Sequence, residues 1–392
     1  MFLDGILISL LTIIAKYNLL VVKILQSMSG IDWFPENIKA FTRLQTNKVY
    51  FSDDEIDHEK LRDIVSRYNI TLDSLTHINS GMVAIVFSGV NRDNQRVVIK
   101  TKRKNIYNRI KTSYDQVACI YNTLSYIAKP FRKLNDILMN LKSFIESKDY
   151  ILSQCDFATE IDALKTTRAC VSQFDYIVIP QVYNEDADAD FIVMEYLEGK
   201  PAFELIDQSD KIKYGEYMCR YVWISIYLTD YLHMDMHPGN VICMKDNKIG
   251  LIDFGMNIKV TPTLRDFIIS LFNSIIEKEA NPSKKVDILK TIGTMMEPQI
   301  QTDLRNYDSV NDIMIELMVN VSNGMLDETR FNCAIEQVRE LTGIRVLRLN
   351  QTLVKLLMGL SMAQSTMNLL FDDKVLLQKV QKRTLVEAMT AY

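Results

Sequence analysis

The sequence has no close pair of cysteines. Its six, Cys119, Cys155, Cys170, Cys219, Cys243 and Cys333, are scattered and form no CxxC. That excludes a disulfide framework or a cysteine zinc site as the organising device and suits free thiols in a reducing, intracellular compartment. A basic excess is lacking too: the formal net charge is −4, so nucleic acid is not expected as a partner. No Arg-rich, acid-poor presequence is seen, so no organelle is indicated. Internal repeats and low-complexity tracts are absent. Long apolar runs are absent but for Gly5–Ala15, which breaks at Lys16, Tyr17 and Asn18 before resuming at Leu19–Val22. That length favours a buried or membrane-surface helix over a membrane span and leaves peripheral membrane association open.

What is present is room for two lobes. The 392 residues are 48% hydrophobic and 24% charged, the balance of a chain that packs a core. Residues 1–75 read as a helical extension with a loop at Gly30 and Pro35. From 76 the texture turns β-branched: MVAIVFSGV and RVVIK flank NRDNQ, a hairpin by period and punctuation. Helical spacing returns over 105–170. YIVIPQVY and FIVMEYL then bracket NEDADAD, read as a solvated hairpin loop. Beyond about 203 the chain reads as helical apart from VICM and IGLIDF. The expected class is α+β, divided at 1–75, 76–200 and 201–392: extension, small mixed lobe, larger helical lobe.

Chemistry concentrates in His233-Met234-Asp235-Met236-His237-Pro238-Gly239-Asn240, followed by Asp253-Phe254-Gly255. Phosphoryl transfer needs a carboxylate beside the incoming nucleophile and oxygen ligands for magnesium on the phosphates. An H-x-D loop with Asn240 five residues past Asp235, then a D-F-G, supplies both. Upstream, Ile78–Gly89 overlays the glycine-rich phosphate loop of kinases with Gly81 and Val86 retained and Asn79 and Ala84 replacing other glycines. One hairpin later, Val97-Val98-Ile99-Lys100 resembles V-A-I-K, whose lysine contacts the α and β phosphates. Met194-Glu195-Tyr196-Leu197 resembles a kinase hinge: Met194 would border the adenine, and the backbone of Glu195 and Leu197 would bond it.

The whole set is similar to the UbiB/ADCK family of atypical protein-kinase-fold proteins. Residues 233–240 match its H-x-D-x-H-P-G-N loop, and a helical insert separates Lys100 from CDFATEIDALK, where Glu160 fits the lysine's partner. Lys23 and Gln26 in VKILQ resemble the family's KxGQ motif, which folds over its active site, with Leu25 in place of glycine. Two further departures are Asn79–Met82 in place of an alanine-rich loop and Gln154-Cys155-Asp156 in place of ExD. The resemblance implies a bilobal kinase-like fold, ATP and Mg2+ as cofactors, and Asp253 and Asn240 as metal ligands. Asp235 would then orient or deprotonate the attacking group. It implies a phosphotransferase or ATPase linked to lipid or quinone metabolism, acting on a lipid, small molecule or protein. A protein Ser/Thr kinase and a nucleotide-binding regulator without turnover are the alternatives.

Plainer roles compete at several positions. His233 suits a backbone brace better than catalysis, and His237 beside Asp235 has only weak zinc-ligand spacing. Glu146 and Asp162 are rival carboxylates to Glu160, and Lys23 and Gln26 also fit surface positions on an apolar helix.

Overall fold

A computed structural model of the chain describes residues 18, 20, 55–74, 77–127, 138, 145, 148–184, 190–280, 286–297, 306–322, 328–343 and 348–391. Lys23, Gln26, Glu146, the Gly5–Ala15 run and most of the expected extension lie outside them. The described residues form two compact units. One runs through Ile161 and adds Gln181–Tyr196; the other is Asp162–Pro180 with Leu197 onward. The chain thus passes between units after Ile161, Pro180 and Tyr196, where the sequence division had one passage at 200.

In the first unit, α1 (His58–Arg67) starts at Asp57, whose carboxylate accepts the Lys60 N–H at 3.0 Å, with Glu59 and Arg67 at the ends the helix dipole favours. β1 (Thr71–Leu72), β2 (Asn79–Ser80), β3 (Ala84–Val90) and β4 (Arg96–Lys102) follow. Then come α2 (Ile106–Ile127), α3 (Lys148–Ser153) and α4 (Phe157–Val171), which carries the chain into the second unit. β5 (Ile177–Val178) belongs there too, and β6 (Phe191–Glu195) returns to the first. The antiparallel sheet runs β1-β3-β4-β6, with β2 also on β3. The expected β3–β4 hairpin is present. Its turn closes because the Asn91 side chain accepts the N–H groups of Asp93 and Gln95 and Asn94 takes φ +61°.

Side chains alternate across a strand, so register decides what shares a face. Ile85, Phe87, Val97, Ile99, Phe191 and Val193 pack on Leu61 and Ile64 of α1 as one core. The opposite face carries Val86, Lys100 and Ile192 in one row and Ser88, Val98 and Met194 in the next.

The stretch NEDADAD connects hairpin-paired segments, as expected; residues 185–189 lie outside the described residues, and both of its ends make tertiary bonds. Asn184 is buried, donating to the Phe191 carbonyl and accepting the Val193 N–H; Asp190 pairs with Lys60 and Lys102. YIVIPQVY is also divided. β5 lies parallel to β10 (Ile249–Leu251) in the second unit, whereas Gln181 and Tyr183 bond to β6. Pro180, which has no N–H to continue a ladder, stands at the switch.

The second unit continues with β7 (Gly199–Pro201) and α5 (Gln208–Leu228), capped by Asp207. β8 (Tyr231–His233) pairs with β11 (Asn257–Lys259), and β9 (Val241–Met244) joins the sheet β5-β10-β9-β7. Next come α6 (Pro262–Ala280), α7 (Ile288–Ile292), β12 (Met296–Glu297), α8 (Tyr307–Ser322) and α9 (Glu328–Thr342). β13 (Arg348–Leu349), α10 (Gln351–Leu370) and α11 (Lys374–Ala391) end the unit. α10 and α11 both pack on α5, whose buried residues include Met218, Tyr221, Val222 and Ile226. Among the described residues, no helix is long and apolar enough to cross a membrane. The architecture is the expected α+β kinase-like one.

Candidate active site

Each unit carries its own group of chemically active residues. In the first, Lys100 sits in mid-β4, flanked by Val86 and Ile192, its side chain 9% exposed. Its ammonium donates to both carboxylate oxygens of Glu160, at 2.7 and 3.0 Å. Glu160 is 1% exposed and lies in the first turn of α4. That turn is held by Asp156, which accepts the Thr159 N–H at 3.1 Å and its hydroxyl at 2.6 Å. Desolvation raises the Asp156 pKa, but the bonds from Thr159 and Ala158 outweigh it, and the carboxyl stays below its ordinary range. The acidic residue retained in Gln154-Cys155-Asp156 is therefore the cap that aims Glu160. Glu160 is Lys100's partner; Asp162 instead accepts the Tyr231 hydroxyl at 2.5 Å. Burial, then that carboxylate, push the Tyr231 hydroxyl up to about 12.

Val86, Lys100 and Met194 share one sheet face. The Glu195 N–H donates to the Gln181 carbonyl at 2.8 Å, so it is committed within the sheet. Leu197 falls in the second unit, buried against Gly250. Gly81 closes the β2–β3 turn, its N–H donating to the Ala84 carbonyl at 2.9 Å. A Cβ there would meet only the Ala84 carbonyl oxygen, at 3.9 Å, so the protein's own packing does not demand glycine at this position.

In the second unit, His233 is fully buried at the end of β8. Its Nδ1 accepts the Asp235 N–H at 3.1 Å and its Nε2 lies 3.0 Å from the Ile252 carbonyl, an arrangement that a neutral imidazole satisfies at both nitrogens. It braces the His233–Asn240 loop against the segment leading to the D-F-G, the bracing role expected of it. The Asn240 side-chain amide donates to the Asp235 carbonyl at 2.9 Å, and the Asn240 main-chain carbonyl accepts the Ile252 N–H at 3.1 Å. Asp253 adopts φ +61°, a left-handed conformation that a short polar side chain tolerates and that clusters at functional sites. Asp235 and Asn240 come together directly, and the Ile252 bonds tie the segment entering Asp253 to them. The Asp253 carboxylate and the Asn240 amide are oxygen donors, which suit magnesium over zinc. Among the described residues, no three His, Cys, Asp or Glu side chains converge as a metal cage.

Burial pulls the His233 pKa below its ordinary value, opposed chiefly by Asp235. The unfolded chain therefore takes up this proton first as pH falls through about 6.5. Stability should be full above that value and decline below it, toward the lower folded pKa. Thermal unfolding followed from about pH 7.5 to about 5.5 should show this decline, and His233→Gln should flatten it while lowering Tm throughout.

Sequence reasoning missed the support beneath the loop. Thr366 of α10 donates its hydroxyl to the Met236 carbonyl at 2.7 Å. Two turns earlier, a Cβ on Gly359 would lie 2.4 Å from the Met234 sulfur and 3.0 Å from its Cα. Glycine inside an apolar helix is the only sequence signal of such close approach, and it names no partner. Gly359→Ala should cost about 1–3 kcal/mol through overpacking. It should also cut kcat by about tenfold or more, because displaced catalytic groups lose alignment. Denaturant titration and steady-state kinetics check both, and Thr366→Val tests the hydrogen bond without added bulk.

The family model described as ABC1 atypical kinase-like domain matches residues 68–287. A Synechocystis protein described as uncharacterized is 23% identical over 297 residues, covering 70% of this chain and 71% of its own. AarF domain-containing protein kinase 1 of Xenopus laevis is 24% identical over 210 residues, covering 51% of this chain and 39% of its own. A Clostridium pasteurianum protein, encoded in the 5′ region of hydrogenase 1, is 22% identical, and the match spans 59% of its length. A Mycobacterium tuberculosis protein solved with erythromycin is 14% identical, covering 88% of this chain and 87% of its own, with a TM-score of 0.47. The chain belongs to the ABC1 atypical kinase-like family, the UbiB/ADCK group of kinase-fold proteins.

Proposed function

We propose that this chain is a magnesium- and ATP-dependent phosphotransferase or ATPase. The observation that carries the reading is the buried Lys100–Glu160 ion pair on the sheet face shared by Val86 and Met194. A desolvated ion pair is costly to maintain and is best explained by a charge that must be held in place, here for the α and β phosphates. Met194 borders the adenine and the Leu197 backbone bonds it, while the Glu195 N–H is committed to Gln181. The Gly81 turn covers the phosphates. Asp253 and Asn240 hold magnesium, which neutralises phosphate charge when bound. Asp235 orients the attacking hydroxyl or water and accepts its proton. Positioning and charge neutralisation account for the catalysis, since this transfer asks little covalent chemistry of the protein.

The acceptor is a lipid, small molecule or protein. The family resemblance favours lipid or quinone metabolism, and Gly5–Ala15 supports peripheral contact with a membrane. The scattered cysteines favour a reducing intracellular compartment. In this reading, the part of residues 1–75 ahead of α1 is the extension whose Lys23 and Gln26 regulate access, while α1 and β1 belong to the first unit's core. The test is phosphate release from labelled MgATP, with and without lipid vesicles and a generic protein substrate. Turnover raised by lipid, with no label on protein, is expected. Label on serine or threonine would make it a protein kinase, and nucleotide binding without turnover would leave a regulator.

A further inference from the structure

The first residue after β4, Arg103, is among the most deeply buried side chains of the first unit, its guanidinium side chain 0% exposed. Two of its nitrogens converge on one atom: Nε and Nη2 donate to the Gly81 carbonyl at 2.9 and 2.5 Å. Its own N–H donates to the Val83 carbonyl at 2.9 Å, so both sides of the glycine turn are tied to one residue. The third nitrogen, Nη1, donates to Glu55 Oε2 at 2.8 Å. Arg109 reaches the same oxygen at 2.5 Å, and the Glu55 carbonyl accepts the Lys104 N–H at 2.8 Å. Glu55 stands two residues ahead of Asp57, the α1 cap. Burial pulls the guanidinium pKa down and Glu55 opposes that, as expected for a charge kept in the interior by its partner.

We propose that Arg103 is the positioning residue of the Gly81 turn, and that Glu55 couples the turn's position to the chain segment entering α1. This rests on reading that turn as the phosphate cover. A peptide carbonyl held by a buried guanidinium cannot rotate toward the phosphates, where its partial negative charge would repel them. Only arginine supplies this fork. A lysine can bond the carbonyl or Glu55 but cannot reproduce three donors in fixed geometry.

The full chain is compared as wild type, Arg103→Lys, Glu55→Gln and Leu61→Ala. Leu61→Ala serves as a control because it weakens the core of the same unit without touching the turn. Amide hydrogen exchange over residues 79–84 is read without nucleotide; KM and kcat are read with MgATP. Arg103→Lys should speed exchange in the turn by about tenfold or more, the scale of a lost charge-assisted hydrogen bond. It should also raise KM for ATP with kcat nearly unchanged. Glu55→Gln should move both readouts in the same direction by less. Leu61→Ala should lower Tm with no selective change at the turn. Exchange in Arg103→Lys that matches the Leu61→Ala control would overturn the proposal and leave Arg103 a purely structural residue. Wild type that binds no MgATP would overturn the proposed function, while the exchange result would still decide whether Arg103 positions the turn.

Discussion

Asp253→Asn should weaken MgATP binding by more than about 100-fold while leaving the fold intact. Asparagine is the informative replacement because residue 253 sits at φ +61°, which asparagine accepts and alanine does not accept readily. The change removes a carboxylate charge without adding backbone strain, so lost affinity reports on the cation. Asp235→Asn should behave in the opposite way. Its backbone bonds to His233 and Asn240 do not depend on the carboxylate, so nucleotide affinity should stay near wild type. Turnover should drop by about 10²- to 10⁴-fold, the range for losing a positioned acid–base group. Calorimetric titration with MgATP, beside single-turnover kinetics, separates the two. Equal MgATP affinity in wild type and Asp253→Asn would remove Asp253 from the metal site, whatever happened to turnover.

Glu160→Ala is the second large effect, expected mainly in stability. It leaves the Lys100 ammonium, 9% exposed, without the carboxylate that holds it in two hydrogen bonds. Uncompensated charge of this kind costs about 3–5 kcal/mol. The discriminating comparison is the double variant Lys100→Met with Glu160→Leu. With neither charge present, it should be more stable than either single variant in urea unfolding, although nucleotide binding is lost. Single variants as stable as the double would mean that the pair is effectively solvated, and the structural basis for reading Lys100 as a preset phosphate ligand would fail. The Asp156 cap should act in the same direction with smaller amplitude, because it sets the first turn of α4 and not the charge itself.

Much of this protein was legible in its residues alone. The β3–β4 hairpin follows from alternation around NRDNQ, and Lys100, Asp235, Asn240 and Asp253 stand at spacings that local loop and strand geometry dictates. Such features are short-range, so backbone sterics and period determine them before any packing occurs. Glu160 was reached only through family resemblance, being 60 residues from Lys100 with other carboxylates nearby. The tertiary structure alone decided what depends on distant segments meeting. It divided YIVIPQVY between two sheets, gave Asp190 two lysine partners, and set Arg103, held by Glu55, on the Gly81 turn. It also brought Gly359 and Thr366 of α10 under the His233–Asn240 loop, more than 100 residues earlier in the chain. No local pattern encodes these contacts, because an interior carbonyl takes whichever donor the packed chain brings to it, and only the folded structure fixes which one arrives.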